Sequence, residues 1–238
     1  TGVQTCALPI SGVIGLAIVV WLYVRFPMFD QPHGQHKKII LRKNYWLYYM
    51  LTFLSGARRQ IFMVFAGFMM VEKFGYSVGQ ISLLFAANYL FNLLFATKIG
   101  KWVGKVGERR ALTVEYIGLI VVFTGYAFVE TAEVAAALYI IDHMFFALAI
   151  AIKTYFQKIA DERDIAATAS VSFTINHIAA VVIPALLGML WLSSPTAVFL
   201  VGTGFAVCSL VCSRLIPDAP SKLNITRWVQ TGRAEANT

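Results

Sequence analysis

The sequence predicts an all-α fold, a polytopic transmembrane helical bundle, and three observations predict it. Hydrophobic residues make up 58% of the 238 residues and charged residues only 13%, with a mean hydropathy of +0.69. A soluble domain carries roughly 45–50% apolar and 25% charged residues, so this chain has too few polar side chains to face water on every side. The apolar residues gather into runs close to the ~20 residues that a membrane-spanning helix needs. Lysine and arginine cluster between alternate runs, which is the pattern of membrane topology.

Taken in order, residues 1–10 (TGVQTCALPI) resemble the translation of a sequencing-library adapter and are expected to be foreign to the fold. Residues 11–24 hold a short run, Gly12–Val24, read as the end of a truncated transmembrane helix. The chain is therefore expected to be a piece of a longer protein. Residues 25–44 form a basic loop, and residues 45–217 carry six further runs: Tyr45–Val71, Gln80–Ile99, Leu112–Val129, Val134–Phe156, Ala169–Leu192 and Thr196–Cys212. Lipid leaves no partner for open backbone groups, so each run is expected to be helical. Residues 218–238 are a polar tail.

The connections are short, and their charges alternate. Lys37, Lys38, Arg42 and Lys43 lie in the first long loop, Lys101, Lys105, Arg109 and Arg110 in the next basic one, and Lys158 and Arg163 in the third. The tail adds Arg214, Lys222, Arg227 and Arg233, whereas the opposite connections hold only Lys73 among Glu72, Glu130 and Glu133. This asymmetry predicts that the basic loops and the C-terminus are cytoplasmic, in a multi-pass cell-membrane protein of the bacterial inner-membrane kind. It also accounts for the net charge of +8 as topology rather than a nucleic-acid-binding stripe. On the tail, the glycosylation sequon Asn224-Ile225-Thr226 carries no meaning on a cytoplasmic side.

Local signals agree with these boundaries. Ser77 and Gln80 form a capping-box pattern at the start of the third run. Asp164 is placed to cap the sixth run, and Pro184 is expected to bend it or open a gap in its hydrogen bonds. Gly100 and Gly104 permit close helix approach at the end of the third run. Trp46, Tyr48, Tyr49 and Trp191 fall where an aromatic belt would sit, and Tyr89 and Tyr126 suit belt or packing roles better than a pocket. Cys6, Cys208 and Cys212 show neither a disulfide framework nor metal-ligand spacing, so no metal or other cofactor is expected.

One stretch is specific enough to carry a resemblance. Gly100-Lys-Trp-Val-Gly104-Lys105-Val-Gly107-Glu108-Arg109-Arg110 resembles the signature of major facilitator superfamily transporters, a Gly-rich basic loop between the second and third helices of each half. Gly100, Lys105, Gly107 and Arg109 fit that pattern; Gly104 stands where an acid is usual, and Glu108 replaces a basic residue. A long basic loop followed by six helices also resembles the family's layout. The resemblance implies the C-terminal half, helices 6–12, built as two inverted three-helix repeats that face a missing N-terminal half across a central substrate path. It further implies alternating-access transport of a small solute. The loop Gly100, Gly104, Lys105, Gly107, Arg109 and Arg110 is expected to anchor at the anionic cytoplasmic surface and to act as a conformational latch.

Charges inside the runs are the strongest functional signal, because a charge at mid-bilayer costs several kcal/mol and needs a partner. Arg58 and Arg59 lie about 20 Å into the second run from the cytoplasm, and Asp142 about 12 Å into the fifth from outside, at 1.5 Å per residue. The two levels nearly coincide, so an ion pair between Asp142 and Arg58 or Arg59 is expected. Adjacent arginines point about 100° apart on a helix, which leaves the other for solvent or ligand. Asp142 is the expected site of proton coupling; a static ion pair is the plainer reading.

Lys153 shares a helical face with Asp142 and is read either as a pathway base or as a snorkelling interfacial lysine. Asn88 and Asn92 share a face of the third run, and Ser172, Thr174 and Asn176 line the sixth. Such groups bind substrate or simply hydrogen-bond neighbouring helices. His143 and His177 titrate near neutrality when unperturbed, and Glu115 is expected at the membrane interface. The substrate or proton pathway is thus expected to comprise Asp142, Arg58, Arg59, Asn88, Asn92, Asn176 and Lys153. No catalytic constellation is evident: there is no pair of acids at protease spacing and no His-rich box, so a non-enzymatic protein is expected. The alternative class is a seven-helix membrane receptor or sensor.

Overall fold

The computed structural model describes residues 2–26 and 41–227, with side chains from Gly12 onward. Lys37, Lys38, Arg233 and the side chain of Cys6 lie outside the described residues. Helix α1 (Gly2–Arg25) belongs to a separate compact unit. It extends the expected Gly12–Val24 run toward the N-terminus.

Among the described residues, the regular structure of the second unit is helical apart from one isolated bridge between Ser221 and Asn224. Helix α2 (residues 46–72) is continuous but irregular: α-helical over Trp46–Gln60, π-helical over Ile61–Ala66, and α-helical again over Gly67–Glu72. It is followed by α3 (Val78–Val106), α4 (Glu108–Phe128), α5 (Ala132–Ile159, with a 3₁₀ turn at Ala147–Ala149), α6 (Ile165–Ser193) and α7 (Pro195–Arg214). Among the described residues, five of these helices, α3 to α7, are long and apolar enough to cross a membrane. Arg58 and Arg59 set α2 apart.

Helix ends follow their local chemistry. The capping box forms as expected: the Ser77 backbone N–H donates to Gln80 Oε1 at 2.8 Å, and the Gln80 N–H to Ser77 Oγ at 3.3 Å. Ser194 caps α7 by accepting from the Ala197 N–H, ahead of Pro195 at the first turn. Asp164 does sit at the N-cap of α6, but its carboxylate makes no capping hydrogen bond. It is held by the Arg42 guanidinium and the Tyr45 hydroxyl. Helix α6 continues through Pro184 to Ser193.

The packing has an internal symmetry. α4 packs most extensively on α7, and α2 on α6; α3 meets α5, α2 meets α7, and α4 meets α5. Exchanging α2 with α5, α3 with α6 and α4 with α7 turns this set of contacts into itself, as two three-helix repeats require. α4 is the central helix. Its residues Leu112, Glu115, Leu119, Val122 and Tyr126 are buried at three- and four-residue spacing. α3 lies at the periphery, with Leu83, Leu90, Leu93 and Leu94 exposed.

Several interfacial expectations give way to packing. Tyr48 stacks on Phe156 with ring centroids 4.3 Å apart, and both Tyr48 and Tyr49 are buried. Trp191 stacks on Phe65 and donates to Glu72 Oε2 at 3.1 Å. Only Trp46 of the expected belt stays exposed. A helix-terminal position in the sequence does not reveal which way a ring faces, and these rings face neighbouring helices.

Helices in lipid gain little from hydrophobic burial, so close approach at small residues matters more. A Cβ at Gly202 of α7 would lie 2.8 Å from the Phe123 ring of α4, whereas Gly204 faces open space. Gly202→Val should therefore lower stability by about 1–3 kcal/mol through overpacking, read as a lower midpoint of thermal unfolding in detergent. Gly204→Ala should leave the midpoint unchanged or raise it. Equal behaviour of the two variants would contradict this packing.

Candidate functional site

A buried charge cluster joins three helices. Arg58 on α2 is 1% exposed, Glu115 on α4 is 0% and Asp142 on α5 is 2%. The Arg58 guanidinium lies 3.6 Å from Glu115 Oε1 and 4.6 Å from the centre of the Tyr116 ring. Its Nε donates to the backbone carbonyl of Leu54 at 3.3 Å. The field of Arg58 reaches both acids, and that of Asp142 reaches Glu115.

This revises the expected pairing. The direct ion-pair partner of Arg58 is Glu115, a residue expected at the interface. Among the described residues, Asp142 makes no ion pair within 4 Å. The sequence did carry the missing signal. Glu115 lies on the same stripe as Leu112, Leu119 and Val122, which is the face that α4 buries.

The cluster is short of hydrogen bonds. Both terminal nitrogens of Arg58, both oxygens of Glu115, one oxygen of Asp142 and the hydroxyls of Tyr116 and Tyr139 are buried without a hydrogen-bond partner, the Arg58–Glu115 contact being an ion pair only. Asn88 on α3 is likewise buried with neither amide atom hydrogen-bonded. Native interiors leave few such atoms, and here several are concentrated in one cluster.

Two adjoining cavities open beside the cluster. The first is lined by Arg58, Arg59, Tyr89, Asn92, Asp142 and His143 among others. The second, of about 450 Å3, lies between α2, α3, α5 and α6, with Thr52, Arg59, Asn92, Lys153, Ser172 and Asn176 in its wall. Arg59, Asn92 and Phe146 belong to both. Arg59 is exposed, and its guanidinium lies 5.9 Å from the Phe146 ring. The two arginines are thus divided as their 100° offset demands: one enters the core and the other the cleft.

The amides and histidines separate in the same way. Asn92 Nδ2 donates to the Asn88 carbonyl at 3.3 Å, and Asn176 Nδ2 to the Ser172 carbonyl at 3.0 Å. Ser172 bonds Tyr48 at 2.9 Å. Tyr89 is 70% exposed and lines the first cavity, against expectation, while Tyr126 packs internally with its hydroxyl on the Ala135 carbonyl. His143 faces the first cavity; His177 is exposed and bonded to the Phe173 carbonyl.

Irregular backbone flanks the cavities. The π-helical segment Ile61–Ala66 begins two residues after Arg59, and the 3₁₀ turn Ala147–Ala149 precedes Lys153 by one helical turn. Both features mark hinges and functional positions within helices. Three 3₁₀ residues advance the phase by about 60° relative to an α-helix. That shift turns Lys153 off the face of Asp142 and into the second cavity.

The Gly-rich stretch is mostly helix, not loop. α3 runs to Val106, and the reversal occurs at Gly107 alone, with φ +90° and ψ 152°. Only glycine takes that φ at no steric cost. Gly100 and Gly104 sit inside α3 with nothing within 4 Å of a Cβ, so they mediate no close approach among the described residues. Glu108 opens α4, where the helix dipole favours an acid, and is buried against Lys158 Nζ at 2.6 Å. Arg109 binds Asp218 at 2.9 Å, and Asp218 also holds Arg227 at 3.2 Å. Lys105 and Arg110 are exposed. At the same end, Asp161 accepts from the Arg163 N–H, which holds its carboxyl below the usual carboxylate range.

No group of three or more His, Cys, Asp or Glu side chains among the described residues is arranged for a metal ion. Cys208 and Cys212 are free thiols.

A bundle of apolar helices in two repeats, with a buried charge cluster beside polar cavities, defines a polytopic membrane transport protein. The family model of the Major Facilitator Superfamily matches residues 48–233, most of the chain, and the chain belongs to that superfamily. The match decides for a membrane transporter over a seven-helix receptor. No curated protein sequence matches the chain.

Removing one member of a buried charge set strands the others. Arg58→Met should cost about 3–5 kcal/mol of stability, and adding Glu115→Gln and Asp142→Asn should restore most of it. Thermal unfolding of the purified variants checks this; an Arg58→Met protein as stable as the parent would refute the charge cluster.

Proposed function

We propose that the protein moves a small solute across the membrane by alternating access, coupled to protons through the cluster of Arg58, Glu115 and Asp142. The observation that carries this reading is a charge count. One buried guanidinium faces two buried carboxylates. A single cation balances one of them, and in a low-dielectric interior the second is neutralised most cheaply by binding a proton. The neighbouring groups are the Tyr116, Tyr126 and Tyr139 hydroxyls, His143 and Arg59. None of these hydroxyls carries a charge near neutrality.

Asp142 is the carboxylate we assign to the proton. It lines the first cavity and lacks a direct ion pair, whereas Glu115 is paired with Arg58 and does not line that cavity. Loss of the proton would draw Arg58 toward Asp142 and away from Glu115, moving α2 relative to α4. The π-helical segment after Arg59 and the 3₁₀ turn after Phe146 supply the compliance for such a shift. Asn88, Asn92, Asn176, Arg59 and Lys153 complete the pathway. Six helices in two repeats suit the C-terminal half of such a transporter, working against an N-terminal half across the cavities.

The same reading orients the protein. The ends bearing Lys101, Lys105, Arg110 and the ion pairs Arg42–Asp164, Glu108–Lys158 and Arg109–Asp218 are placed in the cytoplasm with the C-terminus, in a bacterial inner membrane. Lys105 and Arg110 are left to meet anionic lipid or the partner half during the cycle. A reporter fused after Arg227 should be active only in its cytoplasmic form; an active periplasmic reporter there would reverse the orientation.

In proteoliposomes of the full-length transporter, Asp142→Asn should abolish uptake driven by a pH gradient while substrate counterflow persists. The substrate is first found by screening a solute panel. Gradient-driven accumulation unchanged in Asp142→Asn would overturn proton coupling at this residue.

A further inference from the structure

The second cavity has a charge pattern that specifies a ligand class. It is lined by two cationic side chains, Arg59 from α2 and Lys153 from α5, and by no carboxylate. Neither cation forms an ion pair among the described residues. The acids of the adjacent cluster form no ion pair with them among the described residues. The field that reaches Glu115 and Asp142 is that of Arg58, while Arg59 acts on His143.

The remaining wall has two characters. Thr52, Asn92, Ser172 and Asn176 offer hydroxyl and amide groups, whereas Phe146 and Ile150 present apolar surface. The Asn92 and Asn176 side chains each use one N–H on a carbonyl of their own helix. Each keeps a second N–H and an oxygen outside those bonds, the Asn176 oxygen lying against Gly56.

We propose that this cleft binds an organic anion, a carboxylate on an apolar or aromatic body. The carboxylate is held between Arg59 and Lys153, and the body lies against Phe146 and Ile150. The guanidinium of Arg59 fits a carboxylate with two parallel N–H donors, and the Lys153 ammonium adds a second, flexible cation. The Phe146 ring stands 5.9 Å from the Arg59 guanidinium, which sets a flat surface beside the cation. A cationic solute meets two like charges here, and a neutral one leaves both cations uncompensated.

The assignment deepens the transport reading and rests on it for the cleft being a substrate path. The test therefore reads binding without transport. The full-length transporter, purified in detergent, is titrated by calorimetry at low ionic strength with benzoate, phthalate and phenylphosphonate, and with benzamide and benzylammonium as neutral and cationic counterparts. Saturable binding of at least one anion is expected, weakened by salt, with no binding of benzamide or benzylammonium.

Arg59→Gln and Lys153→Gln should each weaken the anion about tenfold or more, the loss of one charge-assisted hydrogen bond. Lys153→Arg should retain binding and shows that the site tolerates substitution. Each variant is compared at matched thermal stability. Binding of benzamide or benzylammonium as tight as that of the anions, anion binding indifferent to both glutamine variants, or no binding by any anion overturns the proposal. Phenylphosphonate binding with no binding of benzoate or phthalate overturns the carboxylate assignment. Anion binding without flux of any solute would sink the transport reading and leave the site standing. Flux of a neutral or cationic solute without anion binding would do the reverse.

Discussion

A buried guanidinium facing two buried carboxylates is the constraint around which this helical unit is organised. In an interior of low dielectric, an uncompensated charge costs several kcal/mol. Arg58, Glu115 and Asp142 come from α2, α4 and α5, so their mutual attraction acts across three helices at once. Lipid-facing apolar surface gives no comparable preference for one arrangement over another. The shape complements the charges: Gly202 admits Phe123, and Gly118 admits Phe145, which lets α4 sit against α7 and α5.

The two ends of the bundle are held by different chemistry. One end is tied by ion pairs between helix starts and ends, Arg42 with Asp164, Glu108 with Lys158 and Arg109 with Asp218. The other is tied by side chains bonded to helix-terminal carbonyls: Lys73 to the Val129 carbonyl at 2.6 Å and Tyr76 to the Ala132 carbonyl at 3.1 Å. Exposed ion pairs contribute little stability each. Two of the pairs at the first end have a buried member, Asp164 with Arg42 and Glu108 with Lys158, and separating those costs more.

Much of the fold was legible in the chain before any coordinates. The six runs map onto α2 to α7, with boundaries displaced by a few residues. The capping box at Ser77 forms, because it depends on residues only three positions apart, whereas the expected Gly-rich loop contracts to a break at Gly107. The site was legible in part. Arg58, Asp142, Arg59 and Lys153 stood out as charges in apolar runs, and the structure gathers them around two adjoining cavities. Glu115, Tyr116 and Tyr139 did not stand out, and Tyr48, Tyr49 and Trp191 suggested an interface they do not occupy. Glu115 lies seven residues into α4, where depth along the helix suggests the interface and only the buried stripe reveals the core.

The sequence by itself determined that the chain forms membrane helices, how many follow the basic loop, and that charge lies within them. These follow from composition and from spacing along one helix, which are local quantities. Only the tertiary structure decided that Glu115, rather than Asp142, directly contacts Arg58, that Arg59 turns into the cleft, and that Lys153 joins it. Those outcomes depend on the phase of each helix about its own axis, and the π-helical and 3₁₀ segments reset that phase in α2 and α5. A shift of tens of degrees moves a side chain from one neighbour to another, and neighbouring helices set it through packing.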